Sequence, residues 1–254
     1  MKVSSVEVTG SKVAEVTFAF WVMKIAATTL GETAGDLLSM TLNLGYVVSS
    51  AILLAAFVAL LMLQLSARRF HPVLFWSVVL ATSTAGTTMS DLLDRTLGLG
   101  YALGSTILAT CLALVLLVWR RSEKSISVSN INSRKAETFY WTAVLFSNTL
   151  GTALGDFLAD DSGLGFIGGA ALIGTLILVT ALATRIRSAN KIILFWIAFV
   201  LTRPFGATFG DLLTKPLEKG GLDFGTIGSS LILFAILTCL VSFSLVQRRT
   251  ETTH

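Results

Sequence analysis

Charge is what this sequence has least of: Lys, Arg, Asp and Glu make up 13% of its 254 residues, 19 basic against 15 acidic. An ordinary soluble domain runs near one-quarter charged. The shortage excludes a soluble globular enzyme, and the 54% of hydrophobic side chains excludes a disordered chain. Cysteine is scarce as well. Cys111 and Cys239 both fall inside apolar stretches, which suits packing and excludes a disulfide framework or a soft-metal site. The two histidines, His71 and His254, lie in a loop and at the C-terminus, so no histidine-based zinc or haem site is expected. A phosphate-binding glycine loop ending in Lys-Ser/Thr and a nucleophile elbow are missing too. The chain is not expected to be an enzyme.

What is present is apolar length. The mean hydropathy is +0.78. Tyr46 to Leu65, Tyr101 to Trp119, Phe166 to Ala183 and Thr226 to Val246 contain no charged residue, and roughly 20 residues of helix span a bilayer. Four further apolar segments, at about 16–40, 71–94, 137–159 and 190–214, do contain charges. The expected fold is all-α integral membrane with eight transmembrane helices, since barrel strands are short and alternate in polarity. The first 17 residues are polar and mixed in charge (Lys2, Glu7, Lys12, Glu15), unlike a cleaved signal peptide, so the first helix is expected to be retained.

Of the 19 basic residues, 14 cluster on one face of an eight-helix arrangement. They are Lys2 and Lys12, Arg68/Arg69, Arg120/Arg121/Lys124/Arg134/Lys135, Arg185/Arg187/Lys191 and Arg248/Arg249. The opposite loops hold only Arg95, Lys215 and Lys219. The positive-inside rule then puts both termini in the cytoplasm. The basic pI of 9.3 reports topology, and no nucleic-acid partner is expected.

The chain repeats itself. Four segments align without gaps: FWVMKIAATTLGETAGDLL, FWSVVLATSTAGTTMSDLL, YWTAVLFSNTLGTALGDFL and FWIAFVLTRPFGATFGDLL. In each, a Trp (21, 76, 141, 196) is followed ten residues later by Gly31, Gly86, Gly151 or Gly206, and fifteen later by Asp36, Asp91, Asp156 or Asp211. A second anchor, Gly45, Gly100, Gly165 and Gly225, opens the second helix of each unit, where small residues recur. Each unit reads as a helical hairpin with an outside turn. The expected organisation is a cytoplasmic segment 1–15, repeats 1 and 2 over 16–119, a slack cytoplasmic linker 120–137, repeats 3 and 4 over 138–246, and a cytoplasmic tail 247–254. The repeats run parallel, related by a pseudo-two-fold or pseudo-four-fold axis along the membrane normal.

Four in-register copies of W-x9-G-x4-D resemble a family of bacterial membrane-anchored proteins. That family is built of four tandem repeats of unknown function, each of two transmembrane segments with a characteristic Trp. The resemblance covers nearly the whole chain. It implies a bacterial cytoplasmic-membrane protein and carries over no activity.

Depth follows from the helical rise. The five tryptophans, Trp119 included, fall at cytoplasmic helix ends and read as an aromatic belt. Fifteen residues further is about 22 Å, in the outer third of a hydrocarbon core about 30 Å thick. Positions seven, eleven and fifteen after the Trp share one helix face: Thr28–Glu32–Asp36, Ser83–Thr87–Asp91, Asn148–Thr152–Asp156 and Arg203–Ala207–Asp211. Gly31/Gly35, Gly86/Ser90, Gly151/Gly155 and Gly206/Gly210 beside them have the small-xxx-small spacing of close helix packing.

Four carboxylates at that depth do not face lipid. Either they fix packing through hydrogen bonds, or they bind cations or protons; a helix break at the preceding Gly would make each Asp a cap instead. Near a helix C-terminus the macrodipole disfavours their charge, and together they disfavour one another, so a shared site wants protons or a metal. Glu32 and Arg203 each break the repeat. An Arg203–Glu32 or Arg203–Asp211 ion pair and a mobile gate or counter-charge are both open for Arg203, with Pro204 as a hinge. Lys24 is expected to snorkel or to pair with Glu32. Asp94, Asp160, Asp161 and Asp223 read as solvated turn residues, with a cation-attracting vestibule as the alternative.

The expectation is a secondary transporter of a hard divalent cation (Mn²⁺ or Mg²⁺ type) in exchange for protons, working in export. Asp36, Asp91, Asp156, Asp211 and Glu32 would ligate the metal, with Asn148, Thr28, Thr87 and Thr152 nearby and Arg203 and Lys24 as counter-charges. No resident cofactor is expected. The partners are the lipid bilayer and the metal ion or proton; the number of copies stays open, a homodimer included. The alternatives are a proton-coupled transporter of a small organic solute and a non-transporting scaffold whose Asp residues serve packing.

Overall fold

The computed structural model describes residues 12–131 and 133–251. Lys2, Glu7, the rest of residues 1–11, and residues 252–254 of the tail lie outside them, as do the side chains of Arg248 and Arg249. Eight long helices account for most of the chain: α1 (Phe18–Asp36), α2 (Gly45–Ser66), α3 (Pro72–Asp91), α4 (Tyr101–Glu123), α5 (Arg134–Asp156), α6 (Gly165–Ala183), α7 (Lys191–Thr214) and α8 (Thr226–Glu251). No strand occurs among the described residues.

The boundaries have local causes. Each odd helix starts on a side-chain cap that accepts an otherwise orphaned backbone N–H. Thr17 serves α1, His71 α3 (with Pro72 at its first position), Ser133 α5 and Asn190 α7. At the other end, α1, α3 and α5 stop at their Asp and widen into a five-residue π turn: Leu37–Thr41, Leu92–Thr96 and Phe157–Asp161. The chain then reverses through Gly45, Gly100, Gly165 and Gly225, all at φ between 66° and 73°. Only glycine takes that conformation without strain, which explains the second anchor of the repeat.

The helices close on themselves. α1 packs on α3, α3 on α5, α5 on α7, and α7 back on α1. The even helices form an outer layer, and each packs chiefly on the next odd helix: α2 on α3, α4 on α5, α6 on α7 and α8 on α1. The hairpin expected from the sequence is therefore continuous in chain but not the packing unit. Its second helix presents its small-residue seam to the following repeat; Gly169 of α6, for instance, lies where a Cβ would meet the Thr208 methyl of α7 at 3.2 Å.

Outward-facing positions of the even helices are Leu, Ile, Val and Phe, among them Leu63, Leu103, Ile107, Leu178 and Phe234, while serines such as Ser49, Ser50 and Ser105 are buried. This inverts the soluble pattern and is the construction of a multi-pass membrane protein. Among the described residues, six helices (α2, α3, α4, α6, α7, α8) are long and apolar enough to cross a membrane. α1 and α5 carry Lys24, Glu32 and Asp36, and Glu137, Asn148 and Asp156, and those residues are buried inside the bundle.

Two expectations are corrected. Trp76, Trp119, Trp141 and Trp196 are buried rather than spread as an interfacial belt. The aromatic residue before each Trp instead meets the Trp of the next repeat: Phe20–Trp76, Phe75–Trp141, Tyr140–Trp196 and Phe195–Trp21, at 5.7, 5.4, 6.5 and 5.7 Å between ring centroids. The cycle closes the ring of odd helices at what we term the aromatic end. Burying those ring areas between helices is worth more than facing lipid, which is as apolar as they are. The linker, second, is not slack. Helices enter it from both sides, Val128 and Ile131 are buried, and the Ile126 carbonyl accepts from Trp196 Nε1 at 3.0 Å.

Candidate functional site

The polar stripes of the four odd helices face the ring's interior in layers. Closest to the aromatic end is Lys24 of α1. It is fully buried, its Nζ 3.5 Å from Asn148 Oδ1 and 4.1 Å from the Phe199 ring centre. It neither snorkels nor pairs with Glu32: a stem that starts three residues past its Trp is enclosed by α5 and α7 before it can reach water. Asn148 also donates to Thr82 Oγ1 at 2.9 Å. Thr28 spends its hydroxyl on the Ile25 and Thr202 carbonyls, at 3.0 and 3.3 Å. Asn148 and Thr28 thus lie outside the carboxylate cluster that they were expected to join.

The middle layer takes one side chain from each odd helix. Arg203 of α7 donates from Nη1 to Glu32 Oε2 of α1 at 2.9 Å. Its Nη2 donates to Thr87 Oγ1 of α3 and Thr152 Oγ1 of α5, both at 2.6 Å. Of the two ion pairs considered for Arg203, the structure takes the one with Glu32. Close packing makes this possible. A Cβ on Gly151 would overlap the Arg203 side chain, one on Gly31 the Ser83 side chain, and one on Gly206 would lie 2.8 Å from Thr28 Cβ. Gly86 meets the Asn148 and Thr149 backbone at 3.0 Å. One turn further, Gly35 faces Thr87, Gly155 faces Ala207 and Gly210 faces Glu32, at 2.8, 2.8 and 3.0 Å. Each helix's small edge meets the next helix's polar stripe.

The third layer holds the four Asp residues, all buried, and the structure divides them into two pairs. Lys215 Nζ sits 2.6 Å from Asp36 Oδ2 and 3.0 Å from Asp211 Oδ1. Arg95 sits 2.8 Å (Nε) from Asp91 Oδ1 and 3.2 Å (Nη2) from Asp156 Oδ2. These two cations escape a reading of the sequence, because they fall among its outside-loop residues. A signal was there: each stands four residues after its Asp, on the same helical face, and only in repeats 2 and 4, where repeats 1 and 3 have Met40 and Asp160. Burial alone would lower the Lys215 pKa; the Asp211 and Asp36 carboxylates outweigh it and hold the ammonium above its usual range. Asp94, expected in water, is buried instead and accepts from Ser90 at 3.2 Å, wedged where Gly104 of α4 leaves room.

Glu32, Asp36 and Asp211 each offer an oxygen within 4.8 Å of the others, a spacing that can hold a metal ion; Asp91 and Asp156 are not in this group. Five carboxylates face three cations here (Arg203, Arg95, Lys215), a charge of −2 when all are ionised, or −1 with Lys24 counted. The side chains of Arg95 and Lys215 remain 33% and 20% exposed, so this end of the ring meets solvent through them.

The Repeat of Unknown Function (DUF347) matches four times, at residues 19–70, 74–125, 139–189 and 194–250. No curated protein and no solved structure matches significantly. The chain belongs to the family of that repeat.

Proposed function

We propose that this member of the repeat family is a secondary transporter in a bacterial cytoplasmic membrane that exports a hard divalent cation of the Mn²⁺ or Mg²⁺ type against protons. All eight helices would span the bilayer with both termini in the cytoplasm and the repeats parallel about the membrane normal. The observation that carries the proposal is the charge deficit of the buried carboxylate layers, one negative charge of it where Glu32, Asp36 and Asp211 converge on Arg203 and Lys215 and the other where Asp91 and Asp156 share Arg95. A buried negative excess needs compensating positive charge. Carboxylate and hydroxyl oxygens suit hard cations, and protons are the other charge they take.

The ion pairs also supply a gate. Arg95–Asp156 joins repeats 2 and 3, and Lys215–Asp36 joins repeats 4 and 1. Both cross the boundary between the half made of repeats 1–2 and the half made of repeats 3–4. At the opposite end Glu137 of α5 is held by Lys12 at 2.5 Å and by Gln64 of α2 at 3.0 Å, again across that boundary. Occupying the carboxylates with a proton or metal releases Arg95 and Lys215, and the halves part at that end. Lys215 acts as a tethered stand-in for cargo.

A scaffold reading has its own support, since each Asp already has an ion-pair partner. Flux in proteoliposomes separates the two. With Mn²⁺, Mg²⁺ and Ca²⁺ offered in turn, the transporter moves one of them and loses that flux in Asp36→Asn and Asp211→Asn. Lys215→Met should tighten divalent binding by about fivefold or more, the lower range of site coupling. No flux of any of the three, with every Asn variant folded and stable, leaves the scaffold.

A further inference from the structure

The face of the bundle between α4 and α7 carries a feature that transport does not use. At the C-terminal end of α4 and the N-terminal end of α7, a recess of about 150 Å³ is lined by Arg120, Lys124, Ser125 and Asn190 together with Ile126 and Ile193. Beside it an apolar groove of about 410 Å³ is lined by the same two isoleucines and by Leu116, Trp196, Ile197, Val200 and Leu201. The two share Ile126 and Ile193 and form one continuous surface.

Sequence spacing builds it. Leu116, Arg120 and Lys124 are four apart and lie on one edge of α4 and its cap; Ile193, Ile197 and Leu201 do the same on α7. Arg120 and Lys124 make no ion pair among the described residues. The neighbouring acid, Glu123, is taken by Lys135 at 3.7 Å and Ser133 at 3.5 Å. Asn190 caps α7, whose N-terminus adds partial positive charge at the recess. From Ile193 to Leu201 the groove runs about 12 Å, less than one leaflet's depth. A recess with two unneutralised cations, adjoining an apolar trough that follows α7, has the charge and shape of one amphiphile.

We propose that the α4–α7 face is a binding site for an anionic phospholipid, its phosphate on Arg120 and Lys124 and one acyl chain in the groove. The site rests on membrane residence alone and not on the transport reading, so either can fail without the other. Phosphate is common to a lipid headgroup and a free anion, and the groove decides for the lipid.

The test is native mass spectrometry of the full chain released from detergent with phosphatidylglycerol, phosphatidylcholine or inorganic phosphate added. Wild type should retain phosphatidylglycerol over phosphatidylcholine by about thirtyfold, the effect of two surface cations on an anionic lipid. Arg120→Gln/Lys124→Gln should lose that preference, and Arg121→Gln, one residue around the helix, should keep it. Ile197→Trp, which fills the groove and keeps the charges, should weaken phosphatidylglycerol while leaving any phosphate adduct unchanged. Equal retention of the two lipids by wild type, an undiminished preference in the double variant, or full displacement of the lipid by inorganic phosphate would each overturn the proposal.

Discussion

Among the described residues, buried Arg203 has Glu32 as its one carboxylate partner, and that makes the pair a sensitive residue-scale probe. Removing one partner of a buried ion pair costs about 3–5 kcal/mol, because the other charge is left uncompensated. Arg203→Met should therefore lower the melting midpoint in detergent by about 10 °C, and Arg203→Met/Glu32→Gln should recover most of it; a double variant as unstable as the single would show that the pair is not coupled. Lys215 behaves differently. Its folded pKa is raised, so its contribution to stability is present below the unfolded value and is lost only as pH climbs through the elevated one. Lys215 therefore keeps its charge through neutral pH, and any loss of its ion pairs in that range has to come from the carboxylate side. The residues themselves were legible in the sequence: the Asp residues because they recur, Glu32 and Arg203 because they do not. Their partners were legible only in part: Glu32 stood as one of two acids open to Arg203, and Arg95 and Lys215 as cations four residues after their Asp. Which side chain faces Arg203 depends on the order of helices around the ring, and no spacing along one helix encodes that.

At the scale of the element, the repeat's glycines are unequal, and the structure says why. A Cβ on Gly86 would press on the Asn148 and Thr149 backbone of α5, which cannot move aside, whereas one on Gly228 in α8 meets nothing within 4 Å. Gly86→Ala should destabilise by about 1–3 kcal/mol. Gly228→Ala should be neutral or stabilise by up to about 1 kcal/mol, since it removes chain entropy from the unfolded state. Chemical denaturation of both variants checks this, and equal effects would mean that α3 is not pressed against the α5 backbone at Gly86. Helix extents, the outside turn and the second anchor glycine could be read from pattern alone. The π turns after Asp36, Asp91 and Asp156 could not, because an extra residue in a turn leaves the apolar pattern unchanged. Nor could the choice of α2 for α3 over α1, since a seam of small residues fits either neighbour.

For the whole molecule, the decisive feature is closure. The first and last repeats touch through Phe195–Trp21, through Ser230–Thr33 at 2.9 Å and through Thr41–Thr226 at 2.7 Å. The last pair is exposed and can be trapped. Thr41→Cys/Thr226→Cys, in a background where Cys111 and Cys239 are serine, should form a disulfide on mild oxidation, because hydroxyls this close bring the Cβ atoms within disulfide range. After protease cleavage in the 120–137 linker the two halves should stay joined on a non-reducing gel; separation would contradict a closed ring. The repeat itself predicted four similar units and an axis. The alternation of bridging cations that makes the ring two halves became visible only once Arg95 and Lys215 were placed between Asp residues of different repeats.

On the proposed mechanism, the negative excess held by this ring is exchanged between a divalent cation and protons. Proton movement during Mn²⁺ or Mg²⁺ flux, followed with a pH-sensitive dye inside proteoliposomes, tests it most directly. Exchange requires protons to move opposite to the metal in fixed ratio, and neither to move in Asp211→Asn. Metal flux with no proton counterflow, or an Asp211→Asn protein that exchanges as wild type does, would contradict it.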